Sequence, residues 1–273
     1  GSLVGGWLLS LDGAFGLAGW QWVFVATGLP AVLVALVVFK ILPASLHEAR
    51  FLDAREKQIA LAALEREKPV DATHEHPWRA LLDPRVMLFA CTYMLMSTSL
   101  YGVTYWLPTL VKSFGVASTT NGFLSMLPWG IAALLLLYLP GKLKRSKGVL
   151  KAISIVAAVG ALGFTCSLLL PTTSLRFIAL VLGGACIPLL YPCFWSMPPR
   201  YFSGARAAAS VAAINSIGNL GGFFGQNLMP YAGKATGTAF GPMIVPIVCL
   251  GILCVGAAIA WFQTERPLIV AQA

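Results

Sequence analysis

Residues 242–262 read PMIVPIVCLGILCVGAAIAWF, an unbroken apolar run without one charged side chain. An α-helix rises about 1.5 Å per residue, so about 20 such residues match the hydrocarbon thickness of a bilayer. Moving towards the N-terminus, comparable stretches recur at Ala207 to Gln226, Leu175 to Trp195, Lys151 to Leu170, Phe123 to Leu139, Val86 to Leu107 and Trp22 to Leu42. Short polar or Gly/Pro-rich segments separate most of them. The sequence therefore predicts an all-α, polytopic membrane protein with seven spans in the lipid bilayer. Gly1 to Leu11 (GSLVGGWLLSL) is apolar but too short to span, and it begins without Met. It reads as the end of a further helix.

Composition agrees with the spans: 58% of the 273 residues are hydrophobic and only 11% are charged, against about 25% charged in a soluble domain. The net charge of +9 is a matter of loop placement rather than of nucleic-acid binding, and no nucleic-acid partner is implied. Basic residues cluster after Leu42 (Arg50, Arg55, Lys57, Arg66, Lys68, Arg79, Arg85) and after Leu139 (Lys142, Lys144, Arg145, Lys147, with Lys151 behind), then at Arg200, Arg206 and Arg266. Adding Lys40, every basic residue but Lys112, Arg176 and Lys234 falls on one side of the expected topology. The positive-inside rule makes that side, and the C-terminus, cytoplasmic.

The one extended hydrophilic stretch is 43–85. Within it, Asp53 and Glu56 have the spacing of a capping box that opens a helix to about Lys68. Trp78 to Leu82 is expected to form a short amphipathic piece along the membrane surface before Pro84. His74 and His76 lack a Cys or carboxylate at ligand spacing and read as solvated loop residues, so no metal or cofactor is expected. The six cysteines (Cys91, Cys166, Cys186, Cys193, Cys249, Cys254) fall inside spans without a CxxC pair and read as small buried hydrophobes. No nucleophile, base or metal cluster of an enzyme is discernible.

Polar side chains aligned at helical spacing inside a span mark a packed interface or a water-filled cavity. Asn215, Asn219, Gly222 and Gln226 stand at i, i+4, i+7 and i+11, beside a small-residue stripe of Gly218, Gly221, Gly222 and Gly225 that lets another helix approach closely. Asn215 and Asn219 either face a cavity or tie helices together by hydrogen bonds. Ser97, Tyr101 and Thr104 line up in the span after the loop, next to Tyr105, with Trp106 to Pro108 expected to close that helix at the interface. Gly183, Gly184, Pro188 and Pro192 interrupt the span that carries Tyr191 and Trp195 at i, i+4. Broken helices with an aromatic pair are suited to a transport site. No Asp, Glu, Lys or Arg lies deep in any span after residue 86, so this chain alone cannot complete a charged-substrate site or a proton relay.

The segments TrpGlnTrpValPhe (20–24), GlyLeuPro (28–30), LeuHisGluAlaArgPheLeu (46–52), TyrTrpLeuPro (105–108), PheTrpSerMetPro (194–198), GlyAlaArgAlaAlaAla (204–209) and AsnSerIleGlyAsnLeuGlyGlyPhe (215–223) with Gly225 resemble the anion:cation symporter family of the major facilitator superfamily. The resemblance implies a twelve-helix protein in two six-helix bundles. Residues 1–42 would hold the end of helix five and helix six, 43–85 the central cytoplasmic loop with amphipathic helices, and 86–273 helices seven to twelve, with an N-terminal half upstream. It further implies secondary active transport of small organic anions such as carboxylates or sugar acids, commonly with protons, by alternating access in a bacterial inner membrane. By the family pattern Tyr101, Trp195 and Asn215 are substrate contacts; the aromatic pair and polar stripe add Tyr191 and Asn219. Lys144, Arg145 and Ser146 depart from the family's usual Asp beside Arg, and Gln226 stands where Pro often follows Gly225. The basic and acidic residues that hold a carboxylate and a proton would lie upstream. The alternative to transport is an incompetent, truncated membrane fragment.

Overall fold

The computed structural model describes residues 2–43, 45–49, 51–67, 82–142, 148–202 and 204–265, which divide between two compact units, 1–72 and 73–273. Seven helices among the described residues are long and apolar enough to cross a membrane. Helix is the physical requirement here, because a chain inside hydrocarbon must satisfy its own backbone N–H and C=O groups.

In the first unit, helix α1 spans Ser2–Leu9 and α2 spans Gly19–Ile41. The Asp12 carboxylate accepts a hydrogen bond from the Gly19 amide at 2.6 Å, which satisfies one of the open donors at the start of α2. The apolar side chains of α2, among them Leu29, Leu33, Val37 and Phe39, are exposed among the described residues. Helix α3, Ala54–Glu67, opens on the expected capping box. Asp53 Oδ1 accepts from the Glu56 amide at 2.7 Å while Glu56 Oε2 accepts from the Asp53 amide at 3.0 Å. Of the expected surface piece Trp78 to Leu82, all but Leu82 lies outside the described residues, as do His74, His76 and the 144–146 loop.

The second unit contains α4 (Pro84–Lys112), α5 (Ser118–Lys142), α6 (Val149–Leu169), α7 (Thr173–Trp195), the short α8 (Pro198–Tyr201), α9 (Gly204–Thr236) and α10 (Ile244–Ala260). Asp83 caps α4 by accepting from the Arg85 amide, with Pro84 in the first turn, where its missing N–H costs nothing. Several helices run past the expected boundaries, α5 among them, from Ser118 to Lys142 instead of Phe123 to Leu139. Helix α4 does not close at Pro108 but continues to Lys112, and the Pro108 carbonyl accepts from Asn121 Nδ2 at 3.0 Å. Helix α9 continues ten residues beyond Gln226, through Pro230, to Thr236. Hydropathy falls off at Asn227, Gly233 and Lys234 before the hydrogen-bonded helix does.

The two most extensive interfaces are α4 against α9 and α6 against α7, with α10 packed on α6. Both depend on glycine. A Cβ added at Gly225 would lie 2.5 Å from the Thr98 carbonyl oxygen and 2.9 Å from the Gly102 amide nitrogen. One at Gly221 would overlap the Met94 carbonyl, and one at Gly218 the Tyr93 ring. The stripe read from the sequence is therefore a seam against α4. On the other interface, a Cβ at Gly163 would lie 2.8 Å from Gly183 Cα. Around these contacts Phe164, Leu180, Ile187, Leu190, Phe194, Ile214 and Leu250 form a fully buried core.

Cationic side chains finish the bundle at both ends. Arg176 Nε donates to the Leu170 carbonyl that ends α6, and its guanidinium stacks over Phe240 at 5.3 Å. At the other end Lys151 Nζ sits 5.4 Å from the Trp261 ring centroid. The cysteines depart in part from expectation: Cys186, Cys193 and Cys249 are buried, but Cys91 and Cys166 occupy exposed helix faces. A cysteine is small and weakly polar enough to face lipid as readily as core.

Candidate functional site

A cavity of about 770 Å³ opens between α4, α7 and α9, lined by Tyr93, Trp195, Ala207, Ala208, Val211, Ala212 and Asn215. None of the lining side chains carries a charge. Four of the five α9 positions in the lining are Ala or Val, which leaves Asn215 and the two aromatic residues to supply the polar groups.

Asn215 and Asn219 occupy exposed positions one turn apart on α9. Asn219 Nδ2 donates to the Asn215 backbone carbonyl and to Asn215 Oδ1, each at 2.9 Å. Their carboxamides are thus coupled to each other along one helix and do not bridge to a second helix through these bonds. With its Oδ1 engaged by Asn219, Asn215 still carries two Nδ2 donors.

Trp195 and Tyr191 stand one turn apart on α7, and both pack edge-on against Tyr93 of α4, with ring centroids 5.2 and 5.8 Å away. Phe194 stacks on the third side of Tyr93 at 5.5 Å. The aromatic pair therefore closes on a tyrosine of this chain. Pro188 and Pro192 lie inside α7 and remove two helix donors just before these rings. Tyr101, 37% exposed, lies two turns along α4 from Tyr93, its ring against Gly222.

Behind Tyr93, Ser97 is fully buried and faces the phenols of Tyr93 and Tyr191. Neither the Ser97 nor the Tyr191 hydroxyl completes a hydrogen bond of good geometry. Elsewhere on α4, the hydroxyls of Thr92, Thr98, Ser99 and Thr104 each donate to the carbonyl four residues back. Ser97 makes no such bond.

The description Major Facilitator Superfamily matches residues 1–226. The chain belongs to the major facilitator superfamily. Among its relatives in that superfamily, a quinolone resistance transporter of Acinetobacter baumannii is 39% identical over 225 residues, covering 81% of this chain and 52% of the relative. A protein of Agrobacterium vitis named for tartrate transport is 34% identical over 264 residues, covering 95% and 59%. The inner membrane transport protein RhmT of Escherichia coli is 31% identical over 230 residues, covering 82% and 52%. The chain thus spans between half and two thirds of the length of these curated relatives. No solved structure matches it. With superfamily membership and seven apolar helices, it is a multi-pass membrane protein.

Of the five residues nominated from the sequence, Trp195 and Asn215 line the cavity, while Asn219 is bonded to Asn215, Tyr191 packs on Tyr93, and Tyr101 lies against Gly222 of α9. Sequence reasoning missed Tyr93, which lines the cavity and packs against Tyr191, Phe194 and Trp195. The signal was available: Tyr93 precedes Ser97 by four residues and extends the Ser97, Tyr101, Thr104 stripe by one turn. The three small residues Ala207, Ala208 and Ala212 carry no chemical signature, so only packing identifies them as lining.

Proposed function

We propose that this chain is the C-terminal portion of a secondary active transporter of small organic anions, carboxylates or sugar acids, working by alternating access and coupled to protons. Residues 1–42 belong to the N-terminal bundle, 43–85 to the central cytoplasmic loop and 86–273 to the C-terminal six-helix bundle. The protein lies in a bacterial inner membrane with its C-terminus in the cytoplasm. The observation that carries the reading is the cavity on which Tyr93, Trp195 and Asn215 converge without a charged residue. Trp195 offers an apolar face and one donor, and Asn215 offers free Nδ2 donors. Tyr101, Tyr191 and Asn219 extend the same surface.

A neutral half-site binds the uncharged part of a substrate and leaves the carboxylate and the proton to groups in the N-terminal half. This division avoids the cost of an unpaired charge within the membrane. Relatives named for tartrate and for inner-membrane transport support the substrate class and the location.

The test is uptake of radiolabelled tartrate into membrane vesicles from cells producing the whole transporter. An inside-alkaline pH gradient should accelerate uptake, and a protonophore should abolish the acceleration. A second reading, outward transport of an aromatic drug, is favoured by the 39% identity to a quinolone resistance transporter. It predicts lower quinolone accumulation in producing cells and no uptake of any organic acid, which would refute the first reading.

A further inference from the structure

One end of the second unit gathers cations that have no carboxylate to meet. Lys112 finishes α4, Arg176 stands in the first turn of α7 and Lys234 lies in the last turn of α9. No Asp or Glu occurs anywhere from residue 84 to residue 264, and Asp83 and Glu265 lie at the far end, where α4 starts and the last helix finishes. Three rings hold the cationic end together. Phe114, two residues past Lys112, meets Phe177 edge-on at 5.9 Å and stacks on Phe240 at 6.1 Å, and the Arg176 guanidinium lies over Phe240. Arg176 Nε donates to the Leu170 carbonyl, and the two terminal nitrogens carry four further N–H donors.

At the same end an apolar groove of about 290 Å³ runs between the end of α4, α5 and the start of α7. It is lined by Phe114, Leu124, Thr173, Ser174, Phe177 and Ile178, so that only two hydroxyls interrupt its hydrocarbon wall. Five residues of helix separate Thr173 from Ile178, which carries the groove about 7 Å from the helix end towards the middle of the bundle. Tyr105 and Tyr231, exposed near this end, are of the residue type that sits at the headgroup level of a bilayer. Lys112 and Arg176 adjoin the lining residues Phe114 and Phe177 in the chain. Groove and cations together call for a ligand with a hydrocarbon chain and an anionic head: a free anion leaves the groove empty, and a lipid without net charge leaves the cations unanswered.

We propose that this groove holds an acyl chain of an anionic phospholipid whose phosphate is met by Lys112 and Arg176. Thr173 and Ser174 offer hydroxyl donors to the ester oxygens between chain and phosphate. The site lies apart from the cavity lined by Asn215 and does not depend on what the protein carries.

The experiment uses the whole transporter, solubilised in a nonionic detergent and irradiated with a phosphatidylglycerol that bears a diazirine in one acyl chain; peptide mass spectrometry locates the adducts. They should concentrate on 114–124 and 173–178. Unlabelled phosphatidylglycerol should displace the probe there about 5- to 25-fold better than phosphatidylcholine with the same chains, about 5-fold for each cation, and glycerol phosphate should not displace it. Lys112→Gln should remove about 5-fold of that preference; the residue is exposed, so the fold is not at stake. Ile178→Trp, at another exposed position, should fill the groove and abolish its adducts while leaving those on the exposed Val248, Ile252 and Val255 face unchanged. Adducts spread evenly over the groove and that face, or phosphatidylcholine displacing the probe as well as phosphatidylglycerol, would overturn the site. Displacement by glycerol phosphate would make it a site for a free anion and overturn the lipid, and full preference in Lys112→Gln would overturn the headgroup contact. The wild-type adduct map decides the matter even if a variant does not fold.

Discussion

Replacing Gly225 by alanine probes the seam on which the site depends. The added methyl would lie 2.5 Å from the Thr98 carbonyl oxygen and 2.9 Å from the Gly102 amide nitrogen. These are backbone atoms, and ordinary contact begins at 3.4 Å, so α9 must withdraw from α4 by roughly 0.9 Å at that level. Overpacking of this kind costs about 1–3 kcal/mol, which lowers the melting temperature by roughly 2–12 °C in a domain of this size. A thiol-reactive dye in a thermal melt reads the change, because Cys186, Cys193 and Cys249 are buried until the bundle opens. Gly102→Ala should be milder, since its methyl would meet only the flexible Met229 side chain. Gly130→Ala, Gly251→Ala and Gly256→Ala are internal controls with nothing within 4 Å; they should be neutral or stabilising by about 0.4–1 kcal/mol. If Gly225→Ala melts with those controls, the close approach of α4 and α9 is refuted.

Three further outcomes are expected. Asn215→Ala should weaken substrate binding about 2- to 10-fold, and adding Asn219→Ala should do little more, since Asn219 is hydrogen-bonded to Asn215; fully multiplicative losses in a competition assay would show that the two act separately. Ala212→Trp should fill the cavity and abolish uptake without lowering the melting temperature, because the position is exposed; normal uptake would remove this cavity from the substrate's path. Arg176→Ala should speed amide exchange where α6 ends and α7 begins, by loss of the Leu170 hydrogen bond and the Phe240 stack. Arg176→Lys should restore little of that protection, as an ammonium lacks the flat guanidinium face, and wild-type exchange in Arg176→Ala would mean the latch contributes nothing.

The helices were legible because hydrocarbon leaves the backbone no other partner, and that constraint acts on composition directly. Their ends were less so. Pro108 and Pro230 look like terminators, yet α4 and α9 pass through both. A proline removes one donor, and Asn121 shows how a neighbouring helix can occupy a carbonyl beside such an interruption. The glycine spacing on α9 announced a close approach, but only the packed bundle identified the partner as α4. Asn215 and Trp195 carry recognisable polar or aromatic groups and could be nominated from sequence. Tyr93 extends the Ser97, Tyr101, Thr104 stripe by one turn and could have been nominated with it, but the three rings packed around it are visible only in the folded bundle.

Helix α9 keeps its seam and its cavity lining on neighbouring faces: Gly218, Gly221 and Gly225 meet α4, while Ala208, Val211, Ala212 and Asn215 line the cavity. Substitutions on the second face leave the first untouched. Side-chain changes on the cavity face therefore lie a few ångströms from a tightly packed joint without altering how the two helices meet. Identity along α9 thus mixes two kinds of position, one held by backbone contact and one open to change at little cost in stability, and the two faces are best compared separately.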